Sequence, residues 1–194
     1  MGIKNLKRLL TQLILKRSFK YSEKPLFTLA SGEKSPYYID CKPITLCPEG
    51  RLIIGEIAFL MLRALDFKGV GGLTLGADPI AITISDFFLK NSRLIHSLVV
   101  RKEPKKHGTN KWIEGNFYDQ MPVIIVEDVL TTGGSTIKAI NRARECGLEV
   151  KHVLVIVDRE EGGRQIVKQE LNVSVRSMLY KSEISEVFWR EQQK

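Results

Sequence analysis

The segment Val123-Ile-Ile-Val-Glu-Asp-Val-Leu-Thr-Thr-Gly-Gly-Ser135 decides the fold. Its first four residues are β-branched and apolar, with no polar alternation, and predict a strand covered on both faces. Glu127 and Asp128 follow where that strand is expected to end, and Val129 and Leu130 lead into Thr131, Thr132, Gly133, Gly134 and Ser135. Thr136 to Cys146 then reads as a helix, with Ile137, Ile140 and Ala143 at helical spacing and Gly147 in the stop position. A glycine turn that opens a helix offers free backbone N–H groups and the positive end of the helix dipole, which together suit an anion. The hydroxyls of the turn add donors for a phosphate. Carboxylates accept hydrogen bonds, so the two acids suit the ribose hydroxyls of a phosphorylated sugar and favour an adjacent sugar carbon that turns cationic. A plain capped turn is the simpler reading, but two acids and a Thr-Thr-Gly-Gly-Ser run exceed what capping needs. The run is neither Gly-x-x-x-x-Gly-Lys-Ser/Thr nor Gly-x-Gly-x-x-Gly, so two common nucleotide fingerprints are excluded.

A chain of 194 residues, 43% hydrophobic and 27% charged, is read as one globular domain with room for a proper core. It carries no apolar run of membrane-spanning length, and charges interrupt the apolar residues through Lys20, unlike a signal peptide. A cytoplasmic location is expected. Cys41, Cys47 and Cys146 lack zinc-ligand spacing, and a disulfide scaffold does not suit this size and compartment. The net charge of +8 fits nucleic acid, an anionic small substrate or a merely solvated surface. Its distribution favours the small polyanion: Arg101 to Lys111 holds five basic residues and one acid, net +4. That run has no apolar residue before Trp112 and reads as a basic loop, a lid over a polyanion or a solvated charge run.

The flanking segments alternate. Leu6, Leu9, Leu10, Leu13 and Ile14 form the stripe of an amphipathic helix. Phe27 to Asp40 reads as a hairpin whose second strand carries Tyr37 and Tyr38. Pro48 to Leu65 is a core-facing helix, 69–80 a short strand breaking into a Gly/Ala/Asp/Pro turn, and Ile80 to Lys90 another helix. Strands follow at Leu98 to Val100 and Val153 to Val157, the latter ending in the charged turn Asp158 to Arg164. Helix, strand and terminal helix are expected at Gln165–Glu170, Val173–Met178 and Ile184–Trp189. Such alternation predicts an α/β fold with an open, mostly parallel sheet flanked by helices over about 48–180. A small hood from about 1–47 and the C-terminal segment should cover it. His96 and His152 fit no motif and are read as structural.

All thirteen positions of the opening segment resemble the phosphoribosyl-pyrophosphate (PRPP) signature of the type I phosphoribosyltransferases. Phe27 to Tyr38 resembles the Phe-x-Leu-x-Ser-Gly-x-x-Ser-Pro-x-Tyr hood motif of the orotate branch, and Arg101 to Gly108 its Arg-Lys-x-x-Lys-x-His-Gly lid. The resemblance implies transfer of phosphoribosyl from PRPP to orotate, in pyrimidine synthesis, with Mg2+ held mainly by substrate and reached by Asp128 through water. It implies PRPP contacts at Leu75, Gly76, Arg101, Lys102, Lys105, His107 and Glu127 to Ser135. Lys105, His107, Glu127 and Asp128 would serve catalysis. Orotate contacts fall on Tyr38, Ile39, Thr131 and Arg159. A homodimer sharing lid residues across its interface is implied, with neither nucleic acid nor membrane as partner. Two family lysines are missing, at Ala30 and Gly76, and Lys34 and Lys42 are the candidates to replace the first. If Glu127 and Asp128 both touch ribose, the strand should have ended by Glu127, because strand neighbours face opposite ways. A purine or other pyrimidine phosphoribosyltransferase, or a PRPP-sensing nucleic-acid-binding regulator, is the alternative.

Overall fold

The computed structural model describes residues 1–28, 32, 34–104 and 112–193. In chain order the elements are α1 (Ile3–Arg17), β1 (Phe19–Tyr21), β2 (Phe27–Thr28), β3 (Lys34–Ser35), β4 (Tyr37–Ile39), α2 (Lys42–Thr45) and α3 (Pro48–Leu62). The core continues with β5 (Gly69–Leu73), α4 (Asp78–Lys90), β6 (His96–Val100), β7 (Ile113–Glu114), β8 (Pro122–Leu130) and α5 (Gly134–Glu145). It closes with β9 (Glu149–Asp158), α6 (Gly163–Leu171), β10 (Ser174–Tyr180) and α7 (Lys181–Gln192).

The central sheet runs β10-β9-β8-β5-β6-β7, parallel throughout except for the edge pair β6–β7. Residues of β8 alternate between two hydrophobic cores. Ile124 and Val126 join the layer beneath α1, α3 and α4, whereas Val123 and Ile125 join the layer with α5 and Val167 of α6. All four side chains are buried, which is why the run shows no polar alternation. Leu154 and Ile156 of β9 face the first layer, and Val153 and Val155 face the second.

From β5 the chain moves outward to β6 on one side, and from β8 outward to β9 on the other. The segments leaving β5 and β8 therefore diverge at their carboxyl ends, and an open α/β sheet has its ligand crevice at such a switch point.

Two expectations need correction. The central strand does not stop at Val126: β8 runs on to Leu130, with Glu127 opposite Val155 and Leu130 opposite Asp158. Parallel neighbours on both sides of the first half, and β9 along its whole length, keep the acids in extended backbone. In the hood, Phe27–Thr28 and Lys34–Ser35 do pair as a hairpin, but the tyrosine strand β4 pairs instead with β1. Phe19 and Tyr21 of β1 pack with Phe188 of α7 and with Tyr37 of β4, so both chain ends build the hood.

Candidate active site

A cleft of about 300 Å³ opens at the switch point, lined by Lys42, Leu73, Thr74, Leu75, Gly76, Lys102, Glu127, Asp128 and Ser135. Both acids reach it although they are strand neighbours. Glu127 is 7% exposed and accepts a long hydrogen bond of 3.5 Å from Thr136 Oγ1, in the first turn of α5. Asp128 turns toward the loop after β5, and a Cβ on Gly76 would lie 2.9 Å from its Oδ1. Gly76 and the Asp128 carboxylate therefore lie in contact across the mouth of the cleft. Thr74 and Asp78 brace the loop through a 2.6 Å hydrogen bond from Thr74 Oγ1 to Asp78 Oδ2.

Burial pushes the Glu127 carboxyl up to about 8, and the adjacent Asp128 charge adds to the shift. Glu127 is therefore mostly protonated at neutral pH in the ligand-free cleft. Lys42 sits opposite, paired with Asp40 at 2.7 Å, and its hydrogen bond to Asp40 raises its pKa. Among the described residues no cluster of three metal-ligating side chains is present.

The turn after β8 is open to ligand. Thr132, Gly134 and Ser135 are exposed and Thr131 is half-buried. Gly133 caps α5 with φ 89°, no side chain caps the helix, and its first turn holds no acid. Its leading amides thus point outward without an internal competitor for an anion.

Two backbone hydrogen bonds fasten this turn to the one after β9: Arg159 N–H to Leu130 O at 2.9 Å and Gly163 N–H to Thr131 O at 3.0 Å. They set Arg159 beside Thr131. The Arg159 side chain is buried, ion-paired to Glu161 at 2.9 Å and bonded to the hood hydroxyl of Ser35 at 3.3 Å. Its Nε has no hydrogen-bond partner among the described residues, a buried donor left for something else. Tyr38 is 37% exposed and stacks on Phe27, whereas Ile39 turns into the first core layer. Arg101 pairs with Glu114 at 3.2 Å. Lys105 and His107 lie outside the described residues.

Comparison with known proteins decides what this assembly belongs to. No family model matches the chain. It is 48% identical over 161 residues to the orotate phosphoribosyltransferase of Aquifex aeolicus, covering 83% of this chain and 88% of that one. The chain belongs to the orotate phosphoribosyltransferase family. Among solved structures, the Mycobacterium tuberculosis orotate phosphoribosyltransferase in complex with Fe(III) dicitrate superposes with a TM-score of 0.80 at 34% identity, covering 92% of this chain and 98% of that one. The same mycobacterial enzyme in complex with PRPP gives a TM-score of 0.76 at 31% identity, covering 93% and 99%. Family membership selects the orotate transferase over the purine enzymes and the regulator: the chain is a pentosyltransferase of orotate.

Sequence reasoning singled out six of the residues that line this cleft, Leu75, Gly76, Lys102, Glu127, Asp128 and Ser135, but gave Thr74 and Thr136 no role, and held Lys42 only as one substitute among two. Thr136 directly follows the hydroxyl-rich turn, and its place facing Glu127 needed the helix to begin at Gly134 rather than at Thr136. Lys34 lies in the exposed hood hairpin and does not line the cleft.

Proposed function

We propose that PRPP occupies the switch-point cleft, with its 5′-phosphate on Thr131 to Ser135, its ribose hydroxyls on Glu127 and Asp128, and its pyrophosphate against Leu75, Gly76, Lys42, Lys102 and Arg101. One observation carries the reading: a single cleft gathers two ammonium-bearing side chains, a carboxyl pair and the open end of α5. Those are the counterparts of the anionic ends and the hydroxylated middle of one phosphorylated sugar.

Orotate stacks its plane against the hood and meets Thr131 and Arg159, with Tyr38 flanking and Ile39, whose side chain is in the core, meeting it through backbone only. The unpaired, buried Nε of Arg159 supports a planar acceptor at that place. As the bond from the anomeric carbon to pyrophosphate breaks, the carbon gains positive charge, and the ring nitrogen of orotate forms the new bond with its electron pair and releases its proton to solvent. Asp128 and the deprotonated form of Glu127 stabilise that charge. Arg101 and Lys102, joined by Lys105 and His107, take the charge on the leaving pyrophosphate.

The donor set suits Mg2+: hard carboxylate oxygens, too few for a protein cage, facing where a pyrophosphate would supply the rest. Bound there, Mg2+ would supply charge neutralisation for pyrophosphate and orientation of ribose oxygens, and Asp128 is the residue that would help hold it.

A homodimer is part of the proposal. Leu52 of α3 and Ile82 of α4 are 62% and 47% exposed, large apolar side chains on the outer helices that a second copy would cover. The cytoplasm suits a chain with three free thiols.

The test is pyrophosphate release from PRPP with orotate, uracil or hypoxanthine, each with and without Mg2+. The reading requires release with orotate and Mg2+ only. Turnover of uracil or hypoxanthine at the orotate rate would reject it.

A further inference from the structure

One arginine outside the cleft holds the backbone of two residues that line or border it. Arg142 projects from α5, two turns beyond the open phosphate end. Its Nη1 donates to the Arg101 carbonyl oxygen at 2.6 Å and its Nη2 to the Lys102 carbonyl oxygen at 2.8 Å. The same guanidinium lies 4.2 Å from the centre of the Trp112 ring. Trp112 is in turn joined to Arg101, whose N–H donates to the Trp112 carbonyl oxygen at 2.9 Å. Residues 101, 102 and 112 are thus gathered on one side chain of the helix that opens at the cleft, and Lys102 is the one of the three that lines it.

Only a guanidinium can do all three things. Its planar fork donates to two carbonyls at once while its face stays free to stack on an aromatic ring. A lysine ammonium at the same place has neither the planar fork that meets two carbonyls side by side nor a flat face to stack on the ring. Nothing in the transfer reaction uses Arg142 directly, yet the backbone from which the Lys102 and Arg101 cations extend is fixed by it. Because α5 carries both the phosphate turn and Arg142, the cations for the pyrophosphate are referenced to the element that holds the other end of the same molecule.

We propose that Arg142 is a positioning residue for the pyrophosphate half of the PRPP site, acting through the backbone of Arg101 and Lys102. The proposal rests on the cleft being the PRPP site, and two measurements keep the two claims apart. The first is the KM pair and kcat of the wild type, Arg142→Lys and Arg142→Leu. The second is calorimetric binding of magnesium pyrophosphate to the same three proteins, which needs no turnover. Both variants are expected to raise KM for PRPP and to weaken magnesium pyrophosphate binding by about tenfold, the scale of one lost charge-assisted hydrogen bond. KM for orotate should stay within about twofold, because Arg159 and Thr131 hang from other contacts. Failure of Arg142→Lys to restore wild-type values is the signature of the fork, since charge alone is retained. A merely structural arginine would lower the active fraction, so kcat would fall while both KM values and the pyrophosphate affinity stayed put, and that result overturns the proposal. Equal losses for orotate and PRPP also overturn it. A wild type that binds magnesium pyrophosphate but turns over no orotate would instead reject the functional reading, and the binding comparison would still decide the role of Arg142.

Discussion

The Gly163 amide donates to the Thr131 carbonyl oxygen at 3.0 Å, and a Cβ on Gly163 would fall 2.3 Å from that same oxygen. The turn after β8 and the turn after β9 therefore touch backbone to backbone, with no room for a side chain. Gly163→Ala must push the two turns apart. Loss of the hydrogen bond and the clash together should cost about 2–4 kcal/mol. Thermal unfolding measures the stability loss, and KM for both substrates should rise if, as proposed, the two turns carry the phosphate and the base. An alanine variant of wild-type stability would mean the turns are not in contact.

Glu127 gives the protein a pH signature. Its carboxyl titrates at about 8 when folded and at 4.5 when unfolded, so between those values the native protein holds a proton that the unfolded chain has released. Stability must then fall as pH rises from 4.5 through about 8. Glu127→Gln removes the titration. The variant should melt higher than the wild type at pH 8.5, by on the order of several degrees, and should match it near pH 4.5. Its turnover should fall furthest below the wild type at and above pH 8, where the wild-type carboxyl is charged and the amide cannot supply negative charge to the sugar. Parallel melting curves for the two proteins across this range would contradict the burial of a shifted carboxyl.

Lys42 should act on PRPP and not on orotate. It lines the cleft opposite the acids, and its partner Asp40 holds it charged. Lys42→Ala is expected to raise KM for PRPP about tenfold, as for removal of one charge-assisted contact, with KM for orotate nearly unchanged. Asp40→Asn, which frees the ammonium, should have a much smaller effect. An unchanged KM for PRPP in Lys42→Ala would remove Lys42 from the site.

The exposed apolar side chains of α3 and α4 predict self-association. Leu52→Asp combined with Ile82→Asp places charges on the exposed faces of α3 and α4 and should shift the protein toward monomer in light scattering. If Arg101 or Lys102 serves a neighbouring subunit, activity should fall with dilution in step with dissociation. A double variant that keeps the wild-type mass would place the interface elsewhere.

Much of this architecture was legible in the sequence because its signals are local. A β-branched run without alternation means burial on both faces, and Val123 to Val126 do divide between the two core layers. Glycine pairs and hydroxyls before a helical repeat mark an anion turn, and Thr132, Gly134 and Ser135 are exposed as that role requires. What was not legible depends on pairing at long range. The extension of β8 through Asp128 is imposed by β9, which aligns Glu127 with Val155. The partnership of β4 with β1 depends on aromatic packing against α7, from the far end of the chain. The fork of Arg142 on residues 101 and 102 spans 41 positions and has no sequence signature at all.

The central claim is that the turn from Thr131 to Ser135 grips the 5′-phosphate. The most direct measurement is the ratio of dissociation constants for orotidine and orotidine 5′-monophosphate, in the wild type and in Ser135→Ala and Thr132→Ala. Two hydroxyls and the helix end should make the phosphate worth at least about a hundredfold in the wild type. Each variant should compress that ratio while leaving the affinity for orotidine unchanged. A ratio near one in the wild type, or an equal loss for both ligands in the variants, would contradict the account.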